Sequence, residues 1–183
     1  MNPPTAPIAP NPTDRAADPW RAASSRAAHP SARDGGEPLV AAIAAGLAAV
    51  SVAWELSTGQ SPTERQYELL LETDLYDAWL IHWPAGSGLE AHDHGGSSGA
   101  FTVVAGELDE DTGTGDAVRT RRLVAGDTVH FDGDHVHAVL NRGGLGATSV
   151  HVYSPPLRTM GFYREADGAL IVDRKDELTA SPS

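Results

Sequence analysis

The sequence predicts a mostly β protein, a small barrel or sandwich of short strands behind a brief helical element. Three observations carry that expectation. From Tyr76 onward, short runs of aromatic and β-branched residues alternate with turns rich in Gly, Asp and Asn. Ahead of them, apolar residues recur every three to four positions after Pro38. The 183 residues, 40% of them hydrophobic, furnish one domain of ordinary size with tails.

Residues 1–36 are dominated by Pro, Ala, Asn, Ser and Arg with no apolar period, a composition that predicts a disordered leader. Residues 37–74 are expected to form a helical element packed on the barrel. Leu39, Ile43, Leu47 and Val50 fall on one helical face, and Pro38 suits a first turn. A second helix is predicted from Ser61 to about Glu72, because Ser61-Pro62-Thr63-Glu64 supplies an N-cap, a proline and an acidic residue in the first turn. The barrel is expected over residues 75–175, with strands at Tyr76 to Trp83, Ala100 to Val104, Arg121 to Val124, Thr128 to Phe131, Ala138 to Asn141 and Thr148 to Tyr153. The acidic run Glu107 to Asp116 reads as a solvated hairpin loop, and residues 176–183 as a flexible tail. Trp54, Trp79 and Trp83 read as core, since large aromatics dominate buried area.

Charge and composition narrow the partners. Lys and Arg number 13 against 25 Asp and Glu, a net charge of −12 that disfavours nucleic acid and anionic lipid surfaces. No apolar run is long enough to span a bilayer, and no basic start with an apolar stretch marks a secretory signal, so a soluble, cytoplasmic protein is expected. Cysteine is absent, which leaves histidine and carboxylate as the available metal ligands.

Gly86 is followed, after five residues, by His92-Asp93-His94. Residues two apart on a strand share a face, so His92 and His94 are expected to point into the barrel while Asp93 points away. A second block runs from Gly126 through His135 and His137 to Asn141, and His137 is the expected third metal ligand. His29, His82, His130 and His135 read as surface or structural histidines. Ser149, His151 and Tyr153 alternate with Val150 and Val152, which puts the three polar groups on one face.

The two histidine blocks resemble the paired motifs of the cupin superfamily, glycine-x5-His-x-His and glycine-x5-proline-x-glycine-x2-His-x3-Asn. That resemblance implies a double-stranded β-helix, or jelly-roll, barrel. Asp132 and Asp134 replace the proline and second glycine, while Gly126, His137 and Asn141 hold their places; His135 lacks the spacing to Asn141. The glutamate ligand that many cupins carry after His-x-His is missing, the region here being Gly95-Gly96-Ser97-Ser98-Gly99. With Ser149 to Pro156 added, roughly Tyr67 to Tyr163 is similar to the thiol dioxygenase family typified by cysteine dioxygenase.

The resemblance implies iron(II) on His92, His94 and His137, a relay of Ser149, His151 and Tyr153, a Ser154-Pro155 peptide often cis in the family, and oxidation of a small thiol by dioxygen to a sulfinate. It also implies that Tyr67 and Leu69 line the substrate. Two departures accompany it. The family's cross-linking cysteine falls near Gly99, leaving Tyr153 unmodified. The arginine that grips the substrate carboxylate falls at Leu69, which favours a different thiol such as ergothioneine, its cationic part meeting Glu68 or Asp93, unless Arg142 or Arg158 reaches the pocket. The alternatives are a cupin dioxygenase or isomerase with a non-thiol substrate and a non-catalytic metal-binding sensor.

Overall fold

The computed structural model describes residues 39–58, 63–114, 117–166 and 169–178. Among these residues one helix, α1 (Leu39–Thr58), precedes eleven strands: β1 (Gln66–Glu72), β2 (Asp77–Trp83), β3 (Gly88–His92), β4 (Ser98–Ala105), β5 (Glu107–Thr114), β6 (Ala117–Val124), β7 (Thr128–Phe131), β8 (His137–Leu140), β9 (Ala147–Ser154), β10 (Thr159–Ala166) and β11 (Ala169–Glu177). The strands form a five-stranded sheet of order β1-β2-β9-β4-β7 and a six-stranded sheet of order β11-β10-β3-β8-β5-β6. All their pairings are antiparallel. This is the cupin jelly roll expected from the sequence.

Alternation along each strand separates two cores. Trp83, Phe101, Val103, Leu108, Leu123, Val129, Phe131 and Val139 fill the space between the sheets. The opposite face of the five-stranded sheet, with Ala78, Leu80, Ala100, Val104, Val150 and Val152, is covered by α1. Ala41, Ala44 and Ala48 make that contact, flanked by the partly buried Val40, Ile43 and Leu47. The contact stripe is therefore shifted from the predicted one, since Leu39 and Val50 are exposed. Small side chains at spacings of three and four let the helix lie close on the branched surface of the sheet.

Three sequence expectations are corrected. The predicted helix from Ser61 to Glu72 is strand β1 from Gln66 onward, with Ser61 and Pro62 outside the described residues. Its register with β2, Tyr67 opposite Ile81 and Leu69 opposite Trp79, outweighs a local capping signal. The acidic run is strand β5 rather than a loop, and Asp109, Glu110 and Asp111 are buried. The segment from residue 176 belongs in part to β11, where Asp176 and Glu177 pair with Met160 and Thr159. The expected leader, His29 and the side chain of Trp54 lie outside the described residues. No described helix is long and apolar enough to cross a membrane.

Candidate active site

Strand register assembles the histidines. His92 closes β3 and His137 opens β8, and the pairing of the two strands sets them directly opposite one another. His94 follows in the turn beyond β3, where Gly95 takes a φ of 60°. A Cβ at that glycine would lie 2.7 Å from the Thr159 carbonyl oxygen, so the turn needs a residue without one. Asp93 points outward as expected and accepts hydrogen bonds from Gly95 N at 2.8 Å, Gly161 N at 3.1 Å and the Tyr163 hydroxyl at 2.6 Å. These bonds clamp the His-x-His turn against β10.

The three imidazoles are almost fully buried, with centroids 4.8–5.1 Å apart and potential ligand atoms within 4.8 Å of one another. Burial lowers the pKa of each, that of His94 far below the ordinary value, so the metal-free cluster holds neutral rings, the ligand form of histidine. His92 Nδ1 lies 2.7 Å from the Glu90 carbonyl oxygen, which can only accept, so Nδ1 carries the proton and Nε2 is left as a ligand. His137 Nδ1 does the same toward Glu110 Oε1 at 2.8 Å. His94 has no hydrogen-bond partner on either nitrogen among the described residues. Buried polar atoms left unpaired cost about 1–3 kcal/mol each, and a metal ion drawn to His94 removes one such cost. Three neutral imidazoles suit a divalent transition metal, and the cluster can hold one.

Next to the triad, Ser149, His151 and Tyr153 lie buried on one face of β9. Ser149 Oγ is 2.8 Å from His151 Nε2, and His151 Nδ1 is 3.2 Å from the Tyr153 hydroxyl. The Tyr153 ring stands 5.2 Å from that of His94, so the row ends at the candidate metal position. Trp83, read from the sequence as core, is buried but also donates its indole N–H to Ser149 Oγ at 2.8 Å. Asn141 holds this corner in place, donating from Nδ2 to the carbonyl oxygens of Trp83 and Leu145. The Ser154-Pro155 bond is cis.

The family model of cysteine dioxygenase type I matches residues 37–166, well over half of the chain. The chain belongs to that family. Among solved structures, a protein with a double-stranded β-helix domain from Klebsiella pneumoniae subsp. pneumoniae is 26% identical, the match covering 55% of this chain and 85% of that one, with a TM-score of 0.47. A protein of Thermus thermophilus is 17% identical over 56% of this chain and 94% of its own, with a TM-score of 0.49. An oxalate oxidase in complex with glycolate is 20% identical over 58% of this chain and 60% of its own, also with a TM-score of 0.49. No curated protein matches the chain.

Packing is tight around the tyrosine. Gly99 pairs with Tyr153 across β4 and β9, and a Cβ there would meet the Phe131 ring at 2.7 Å and the Val152 carbonyl at 2.8 Å. Position 99 thus has no room for a side chain beside Tyr153. Tyr67 and Leu69 lie on one face of β1, and Arg65, just ahead of the strand, is in step with them; Tyr67 is largely exposed, its ring 6.2 Å from that of Trp79. Arg142 and Arg158 do not reach the site: Arg142 binds Asp111 and Arg158 binds Glu72. Glu68 is exposed and Asp93 is committed to its turn.

Two residues that the sequence reading did not single out stand close to the site, and a third has a role there that the sequence did not suggest. Arg65 lies over the Trp83 ring, its guanidinium carbon 5.6 Å from the centroid, and donates to the Gly88 carbonyl oxygen at 3.4 Å. Its charge acts on His151, whose pKa is pushed down to about 3 by burial first, then by His137 and Arg65. It also acts on Tyr153, where burial and Asp77 raise the pKa and Arg65 opposes them. The second is Glu110 and the third is Trp83 in its hydrogen-bonding role. His135 stacks on Phe131 at 5.4 Å outside the triad, His82 Nδ1 meets Thr148 Oγ1 at 3.0 Å, and His130 is exposed.

Proposed function

We propose that the protein is an iron(II)-dependent thiol dioxygenase that converts a small thiol and dioxygen into a sulfinate. The observation that carries this reading is the buried triad of His92, His94 and His137 with the Ser149, His151 and Tyr153 row against it. Thiol plus dioxygen accounts for every atom of the sulfinic acid. His92, His94 and His137 would hold iron(II) by one nitrogen each, and the ion would supply the redox chemistry that brings a thiolate and dioxygen together.

The chain's own groups set the protonation pattern beside the triad. The indole of Trp83 can only donate, so it occupies one lone pair of Ser149 Oγ. The Ser149 hydroxyl then donates to His151 Nε2, its remaining partner among the described residues. His151 carries its proton on Nδ1 and donates to the Tyr153 oxygen. The Tyr153 proton is thereby left to donate into the pocket, and burial, which raises the phenol's pKa, keeps it in place.

Arg65 bears on the substrate. It presents a cation beside Trp83, just ahead of β1 and in step with Leu69. We therefore read the substrate as a small thiol that carries an anionic group, with Arg65 as its counter-charge. Leu69 in place of arginine supports ergothioneine as the second reading, since the side chain nearest the family's grip is apolar.

The test is oxygen uptake by the iron-loaded full chain with cysteine, 3-mercaptopropionate and ergothioneine, products identified by mass. Sulfinate is expected, and Arg65→Met is expected to lower kcat/KM for the anionic thiol by about 10- to 100-fold, the scale of a charge-assisted hydrogen bond of about 1.5–3 kcal/mol. Oxidation of a non-thiol substrate would favour another cupin dioxygenase or isomerase. Iron binding without oxygen uptake would favour a sensor.

A further inference from the structure

The ligand set lacks a carboxylate, yet one lies a single hydrogen bond behind it. We propose that Glu110 is a positioning residue of the metal centre, a buried carboxylate that fixes His137 as the Nδ1–H tautomer, aims its Nε2 toward His92 and His94, and supplies the negative charge that three neutral ligands do not. The inference rests on the metal-binding reading of the triad.

Glu110 sits in the middle of β5, opposite Val139 of β8, with 3% of its surface exposed. Its neighbours Asp109 and Asp111 point the other way, onto Arg122 and Arg142 at the surface. Glu110 instead shares its face with Leu108, which is in the core between the sheets. A carboxylate inside a barrel is expensive unless it is paired. The ion pairs that reach it among the described residues are both with imidazoles, His137 Nδ1 at 2.8 Å and His135 Nε2 at 3.6 Å.

The two contacts are unequal. His137 is buried and its bond to Glu110 has ordinary hydrogen-bond length, while His135 is 28% exposed and its Nε2 makes no hydrogen bond. A partner on Nδ1 that only accepts decides which nitrogen of His137 faces the triad and raises the basicity of the other. His92 receives the same instruction from a neutral carbonyl, and His94 receives none. Glu110 is thus the one anion among the described residues that is hydrogen-bonded to a member of the triad.

Glu110, His135 and His137 also bring three ligand atoms within 4.8 Å of one another. In that group His137 Nδ1 is already engaged by its hydrogen bond to the Glu110 carboxylate. The two arrangements differ in what His135 does: it is required if Glu110 is a direct ligand, and dispensable if Glu110 acts through His137.

The experiment measures iron(II) affinity by chelator competition, and the Fe(III)/Fe(II) midpoint potential, on the full chain without oxygen. Glu110→Gln keeps shape and removes the charge; it is expected to weaken iron(II) binding by about 10- to 100-fold and to shift the potential upward. Glu110→Asp, which retains the charge but shortens the reach, is the second variant should the glutamine protein not fold, with a loss of affinity expected there too. His135→Ala is expected to leave both quantities at wild-type values. Wild-type affinity and potential in the folded Glu110 variants would overturn the proposal, as would a His135→Ala protein that loses iron as severely as Glu110→Gln. A wild type that binds no iron, or a His94→Ala variant that binds it normally, would instead remove the metal reading beneath it.

Discussion

A tyrosine hydroxyl can be aimed by a tryptophan two side chains away. The bond from Trp83 to Ser149 gives the row a direction that Ser149, His151 and Tyr153 alone would leave open, because serine and histidine can each donate or accept. With the indole fixed as donor, the phenol proton is the one left for the pocket. Tyr153→Phe is therefore expected to leave iron affinity unchanged while slowing sulfinate formation by about 10- to 1000-fold, the range for one positioned donor or proton-transfer group. Iron titration beside single-turnover product analysis checks both halves, and an unchanged rate would reduce the row to a packing network. The triad and the row were legible in the sequence because their spacing follows strand alternation and matches a known motif. Glu110 was not legible, because acidic residues in a run usually face water; the available signal was that Leu108 and Glu110 share a parity. Arg65 was hidden by the same error that made β1 a helix, since helical spacing does not put residues 65, 67 and 69 on one face.

At the scale of elements, four of the five strands in the β1-β2-β9-β4-β7 sheet were readable from residues 76–83, 100–104, 128–131 and 148–153, where β-branched and aromatic residues cluster. Strands β5 and β11 were not, being rich in charged residues with weak intrinsic preference and held by pairing to neighbours, and β10 was missed despite its Phe162 and Tyr163. Helix α1 was legible in existence but not in orientation. Its large apolar residues suggested the contact face, whereas the sheet accepts alanines. Ala44, fully buried against the sheet, is the position at which that difference has the largest consequence. Ala44→Leu is expected to destabilise the fold by about 1–3 kcal/mol through overpacking, whereas Leu39→Ala, at an exposed residue, stays within about 0.5 kcal/mol. Urea unfolding of both variants checks the pair, and the reverse order of effects would relocate the helix contact to the leucine stripe.

Over the whole molecule, the same burial that prepares histidine for metal makes the metal-free fold sensitive to acid. His151 is held neutral, its pKa lowered by burial from an ordinary 6.5 to about 3, and burial lowers His92, His94 and His137 as well. Below about pH 6.5 the unfolded chain takes up protons that the folded interior refuses. The unfolding free energy then falls as pH falls, by up to about 1.4 kcal/mol per pH unit for each such histidine, until the folded-state pKa is passed. Glu110 acts in the same direction at lower pH. Burial alone would raise its pKa, but the nearby His135 and the hydrogen bond from His137 outweigh this and hold the carboxyl at about 2 rather than 4.5. Its contribution is therefore lost between those values, after the histidine effect has begun. A divalent metal opposes the first loss, since it binds the neutral rings of the folded state and must be released before they protonate. Urea midpoints of the metal-free protein are thus expected to fall steadily from pH 7.5 to pH 5, and the metal-loaded protein to hold its midpoint further into acid before joining that curve. A metal-free midpoint that stays level across this range would contradict a cluster of buried neutral imidazoles at the centre of the barrel.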